Sequence, residues 1–121
     1  MKLMTKEVLK KMPALYSGED VPLAEKPVAV KFFNPCGAAT WYAFEGEPVL
    51  DDDGNEVDYL FFGWVTLGMG PECDEAGYFH LNELKDLKLP FGLHVERDMH
   101  MDPGKVLFGD TRDGKRYREA A

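Results

Sequence analysis

The run Tyr59-Leu60-Phe61-Phe62-Gly63-Trp64-Val65-Thr66-Leu67 constrains this chain more than any other segment. Aromatic and aliphatic side chains stand at both odd and even positions, so the strand it predicts must be kept from water on both faces. A sheet open to solvent on one side cannot hold it. It is expected to be a central strand, covered on each side by the helices, the tail or a partner. At 121 residues the chain has enough length for one compact core and not for two.

The flanking segments supply that sheet. Thr5 is a suitable N-cap for a helix over residues 6–12, with Met4 and Leu9 in the positions of a hydrophobic staple and Pro13 as its stop. Val8, Leu9 and Met12 form its expected buried stripe, while Lys6, Lys10 and Lys11 face solvent. Val28 to Phe33 predicts a strand with Val28, Val30 and Phe32 on one face. Asn34-Pro35-Cys36-Gly37 fits a type I turn leading to a return strand Ala39–Glu45, with Trp41 on one side and Tyr42 and Phe44 on the other. Asp53-Gly54, the pair favoured in two-residue hairpin turns, joins Pro48-Val49-Leu50 to the central run. That register pairs Leu50 with Val57 and sets Asp51 against Glu56, a like-charge pair that destabilises the hairpin unless its tip splays, binds a cation or meets a basic surface.

Ala76-Gly77-Tyr78-Phe79 predicts a fourth strand, and Leu81, Leu84 and Leu87 mark a short helix that ends before Pro90. Leu93-His94-Val95 offers a fifth short strand. The expected fold class is α+β: an antiparallel sheet of about four to five strands built from hairpins, with an N-terminal helix and one short helix packed on it. Past Pro103 the chain is rich in glycine and charge, with Val106-Leu107-Phe108 as its only apolar cluster.

Charge is unevenly spread. The net charge is −8, yet residues 45–86 alone carry 12 acidic groups against Lys85, a net of −11. The two ends are mildly basic. Such a balance argues against sequence-independent binding to nucleic acid. The acidic segment is either a solvated rim that keeps an aromatic-rich sheet in solution or a face for a basic partner.

Signatures of chemistry are sparse. Cys36 and Cys73 form no CxxC element and are expected as free thiols. His94 and His100, six apart, share neither a helix face nor a strand position close enough for one zinc ion, so no metal and no cofactor are expected. Asp51-Asp52-Asp53-Gly54-Asn55-Glu56 departs from the EF-hand spacing, with glycine fourth and Phe62 at position twelve. Phosphate-binding glycine loops, GxSxG and HExxH are missing. The start MKLMTKEVLKKM has no uninterrupted apolar segment, and no apolar run nears the roughly 20 residues of a membrane span. A cytoplasmic protein with no membrane partner is expected.

Taken in order, Thr5-Lys6-Glu7, Leu15-Tyr16, Lys31-Phe32-Phe33, Thr40-Trp41-Tyr42-Ala43, Phe61-Phe62-Gly63, Glu75-Ala76-Gly77-Tyr78-Phe79 and Val95-Glu96-Arg97-Asp98 match in order and spacing over residues 3–98. Through them the chain resembles the domain-of-unknown-function family 2958. The resemblance implies a small α+β domain carried on plasmids, phages and other bacterial mobile elements, with no activity to transfer. Three places depart from the family pattern: the acidic insertion Asp51 to Asp58, His80 in place of a serine before the short helix, and residues 101–121. The expected organisation is therefore one family domain over residues 1–100 and a C-terminal extension, basic at its end, over 101–121.

The expected role is non-enzymatic: an accessory protein of a mobile element that binds another protein with a basic surface. Asp51, Asp52, Asp53, Glu56 and Asp58 would make the contact together with Trp41 and Tyr42. A specific form is an inhibitor of a host defence or nucleic-acid-binding protein, the carboxylates standing in for DNA phosphates. One alternative is a small enzyme with a polar pocket near Tyr78, Glu96, Arg97 and Asp98, although Glu96-Arg97-Asp98 more simply pins a loop. Another is a nucleic-acid binder using Lys6, Lys10, Lys11 and Arg112 to Arg118 as a basic strip.

Overall fold

The computed structural model describes residues 2–120. Helix α1 (Lys6–Lys11) is followed by strands β1 (Val30–Phe33), β2 (Thr40–Leu50), β3 (Glu56–Thr66) and β4 (Glu75–His80). Helix α2 (Leu81–Asp86), the short β5 (Glu96–Arg97) and helix α3 (Arg112–Ala120) complete the chain. The five strands form one antiparallel sheet in the order β4-β3-β2-β1-β5, which makes the fold α+β. No helix among the described residues is long and apolar enough to cross a membrane.

Each face of the sheet carries its own core. On the first, Phe32, Trp41, Phe61 and Phe79 pack under Leu3, Val8, Leu81 and Leu84, so α1 and α2 are its cover. On the second, Val28, Tyr42, Phe44 and Phe108 pack with Phe62, Trp64 and Tyr117, so the tail covers what the sequence left open. Phe108 is the hub, with ring centroids 5.3 Å from Tyr42, 5.4 Å from Phe44 and 5.5 Å from Trp64. The doubly apolar β3 run is thereby satisfied, with Phe61 buried on one side and Phe62 and Trp64 on the other.

Local chemistry sets the element ends. The Thr5 hydroxyl accepts from the Val8 N–H at 3.2 Å and caps α1, while Glu83 reaches back to the His80 N–H at 3.3 Å and starts α2. Gly37 N–H donates to the Asn34 carbonyl and closes the β1–β2 turn.

Several sequence expectations are corrected. Val28 does not share a face with Val30 and Phe32: it lies outside β1, bonded to Val106 and Gly104 of the tail, and faces the second core. Leu9 stands exposed rather than buried, because six residues of α1 present only Val8 inward, and Leu87 falls beyond α2 and is likewise exposed. The fifth strand is Glu96–Arg97, three residues later than Leu93-His94-Val95.

The β2–β3 turn is longer than two residues. Asp51 pairs with Asn55 and Leu50 with Glu56, so the expected Asp51–Glu56 and Leu50–Val57 pairs do not form. Gly54 takes φ +84°, the left-handed conformation that closes a type I turn in register with twisted strands. A bulge at Phe44–Glu45 has a larger consequence. Glu45, not Phe44, stands opposite Phe62, so two successive side chains, Phe44 and Glu45, point to the second face.

Candidate functional site

The acidic hairpin sits at one end of the sheet. Asp51, Asp52, Asp53 and Glu56 are all exposed there, and among the described residues none is ion-paired with a lysine or arginine. Asp51 is also part of the turn: its Oδ1 accepts from the N–H groups of Asp53 and Asn55, each at 2.9 Å. These backbone donors hold its carboxyl below the usual aspartate range, the Asn55 N–H foremost. Beside the carboxylates, Leu50 is 57% and Val57 51% exposed.

Three other residues expected at this contact are placed elsewhere. Asp58 turns back to the protein, accepting from the N–H of Asn82 in the first turn of α2 at 3.0 Å. Trp41 and Tyr42 are 8% and 1% exposed and lie in opposite cores, so neither offers a surface to a partner. The sequence placed them on opposite faces, but both faces are covered.

Glu96 and Arg97 form the edge strand β5, and Asp98 follows it directly. Arg97 Nη1 donates to the Lys2 carbonyl at 3.1 Å, tying the start of the chain to β5. Asp98 pairs with Lys31 at 3.6 Å and accepts from the His100 N–H at 2.9 Å. Tyr78 is on β4, the opposite edge of the sheet. Four inter-strand steps, about 19 Å, separate the two edges, so these four residues do not line a common pocket. The basic termini are also divided, since α1 packs on the first face and α3 on the second.

Two clefts on the second face bring together residues that the sequence did not associate, Tyr78 alone among them having been singled out as a pocket residue. In the first, of about 330 Å³, Tyr16, Glu19, Lys26, Glu45, Phe62 and Tyr78 converge. The bulge turns Glu45 into this cleft, where its carboxylate accepts from Tyr16 N–H at 2.8 Å and Gly18 N–H at 3.1 Å. Lys26 Nζ lies 3.4 Å from Glu45, donates to the Gly18 carbonyl and sits 5.9 Å from the Phe62 ring centre. Both charged groups are buried. Together they hold the Tyr16 loop in a conformation with φ +69° at Tyr16, uncommon for a side-chain-bearing residue. The Tyr16 and Tyr78 rings stand exposed at the mouth, 6.4 Å apart. The Tyr78 hydroxyl is held above the usual tyrosine range, first by its hydrogen bond to Tyr16.

The second cleft, of about 210 Å³, lies between the end of β3, the β3–β4 loop and α3. Its walls include Trp64, Asp74, Asp113, Arg116 and Tyr117. The Thr111 hydroxyl accepts from Gly114 N–H at 2.9 Å and starts the helix. In the first turn, buried Asp113 accepts from the Tyr42 hydroxyl at 2.5 Å. Burial, then this bond, then the Asp113 charge push the Tyr42 hydroxyl far above the usual tyrosine range. Trp64 Nε1 and Asp74 Oδ1, on two of the lining residues, are buried without a hydrogen-bond partner.

Among the described residues, no three His, Cys, Asp or Glu side chains are grouped to hold a metal ion. Cys36 and Cys73 are free. No curated protein and no solved structure matches the chain. One family model does, over residues 3–109, spanning the five strands, α1, α2 and the Phe108 hub and stopping short of α3. The chain belongs to the family described as protein of unknown function DUF2958.

Proposed function

We propose that the chain acts without catalysis, as a cytoplasmic accessory protein of a mobile genetic element that binds another protein through its acidic hairpin. One observation carries this reading: Asp51, Asp52, Asp53 and Glu56 face solvent without a basic partner among the described residues, and Leu50 and Val57 stand exposed beside them. A hairpin of this kind suits a partner with a basic surface around an apolar spot. Proteins that bind nucleic acid carry such surfaces, and a groove that takes phosphates accepts a row of carboxylates. The specific form of the proposal is an inhibitor of a host defence nuclease or a related nucleic-acid-binding protein. The mobile-element setting rests on the resemblance to the family.

The test is affinity capture from lysate of the organism that carries the chain, comparing the natural sequence with the variant D51N/D52N/D53N/E56Q. Asparagine at position 51 keeps an oxygen for the turn, so the hairpin is retained. Capture is expected to be lost in the variant, and DNA is expected to displace the captured protein from the natural chain. Equal capture by both forms overturns the mechanism.

A further inference from the structure

On the first face, the groove between α1 and α2 carries the opposite sign of charge to the acidic hairpin beside it. It opens over the start of β3 with a volume of about 560 Å³, and Lys2, Lys6 and Lys85 line it against a single carboxylate, Glu56. All three lysines are exposed and none forms an ion pair among the described residues, although the chain has a net charge of −8. Leu9, 45% exposed, lines the same groove. The floor is closed, since Tyr59, Leu81 and Leu84 are more than nine-tenths buried. A small apolar molecule would lie there largely in water. The groove suits instead an extended segment of protein that brings apolar side chains of its own with acidic ones around them.

The hairpin is such a segment, with Leu50 and Val57 exposed among Asp51, Asp52, Asp53 and Glu56. Within one molecule the two surfaces do not meet. Pairing of β2 with β3 runs out to Leu50 and Glu56 and fixes the tip to the sheet, and no carboxylate of the tip pairs with a lysine of the groove. We propose that the hairpin of a second copy docks in this groove, with Leu50 and Val57 against Leu9 and the carboxylates among Lys2, Lys6 and Lys85. Glu56 belongs to hairpin and groove alike, so the two surfaces adjoin. Adjoining complementary surfaces allow a closed two-fold dimer in which each copy gives a hairpin and receives one, whereas surfaces at opposite ends would chain copies into a filament. Closure makes the second contact intramolecular, which strengthens a contact that is modest singly. This self-association does not depend on the function proposed above. A foreign partner that takes the hairpin competes with the second copy for the same carboxylates, and that consequence alone rests on the proposed function.

The test is sedimentation velocity on the purified full chain, from micromolar to about 0.5 mM protein, with a charge swap between two variants. K6E/K85E reverses the groove, and D52K/D53K reverses the tip while sparing Asp51, whose carboxylate holds the turn. All four side chains are exposed, and both variants keep a net negative charge, each departing by four from the −8 of the natural chain. The natural chain is expected to pass from monomer to dimer with rising concentration, less readily in about 500 mM than in about 50 mM salt. Each variant alone is expected to associate about tenfold or more weakly. Their equimolar mixture is expected to dimerise again, because the acidic groove then meets the basic tip and the basic groove the acidic tip. That restoration also shows both variants to be folded. The dimer is overturned if the natural chain stays monomeric throughout, if either variant alone associates as the natural chain does, or if the mixture stays monomeric. K6E/K85E keeps the acidic hairpin intact, so capture of a partner by this variant is read separately, and either proposal can fail without the other.

Discussion

Tyr42 shows how a single hydroxyl ties two distant parts of the chain together. Alternation in the sequence puts its ring on the face opposite Trp41, and the structure agrees. Its partner Asp113, 71 residues away, could not be read, because a buried tyrosine in a strand advertises neither the identity nor the distance of its acceptor. Replacing Tyr42 with Phe leaves the buried Asp113 carboxylate without this donor, and a loss of about 1–3 kcal/mol is expected by urea unfolding at neutral pH. The same contact has a pH signature. The hydroxyl's value in the folded state lies above its ordinary value of 10, so its contribution is fully present below that value. It is lost as pH rises past it, because the unfolded chain gives up the proton first. The natural protein should therefore lose stability above pH 10 more steeply than Tyr42→Phe. Tyr59, also raised by burial, contributes to both proteins and cancels in the comparison. Parallel pH profiles would show that the contact does not bear on stability.

At the scale of elements, the strands were legible and their irregularities were not. Runs of β-branched and aromatic residues set between turn signals located β1 to β4, and the spacing of Leu81 and Leu84, both buried, located α2. The bulge at Phe44–Glu45 leaves no such trace, and strict alternation would have sent Glu45 to the Trp41 face. One extra residue instead turns it toward Lys26 and the Tyr16 loop, creating a cleft that no motif announces. The acidic tip was missed by a similar margin: Asp-Gly signalled a turn, but not whether it held two residues or more. The buried pair supplies a test of how firmly that loop is held. Lys26→Met leaves Glu45 as an uncompensated buried charge and should cost about 3–5 kcal/mol. Adding Glu45→Gln removes the charge while an amide oxygen still accepts from Tyr16 or Gly18, so the double variant should be more stable than Lys26→Met alone. A double variant no more stable than the single one would mean that the carboxylate's backbone bonds, not its pairing with Lys26, hold the loop.

For the molecule as a whole, the sequence demanded a cover for the second face of the sheet without choosing among the helices, the tail and a partner. The tail hid its role because its apolar content is small: Phe108 is fully buried, whereas α3 is polar along most of its length and contributes chiefly Tyr117. Helix α3 is nevertheless closely seated. A Cβ on Gly114 would stand 1.6 Å from the Phe108 carbonyl oxygen, so only glycine allows the helix to start against that turn. The two cores lie on opposite faces of one sheet, and α1 and α2 do not depend on α3 for their packing. Gly114→Val should therefore lift α3 without unfolding the strands. Trp64 would lose Tyr117 and the cleft wall, while Trp41 stays buried in the first core. The expected result is a red-shifted tryptophan emission and new binding of a hydrophobic dye, with the far-ultraviolet signature of the sheet kept. Phe108→Ala, by contrast, empties the centre of the second core and should cost about 3–5 kcal/mol. If Gly114→Val leaves emission and unfolding midpoint unchanged, α3 is not the seal of the second face, and Phe108 and its turn cover the sheet by themselves.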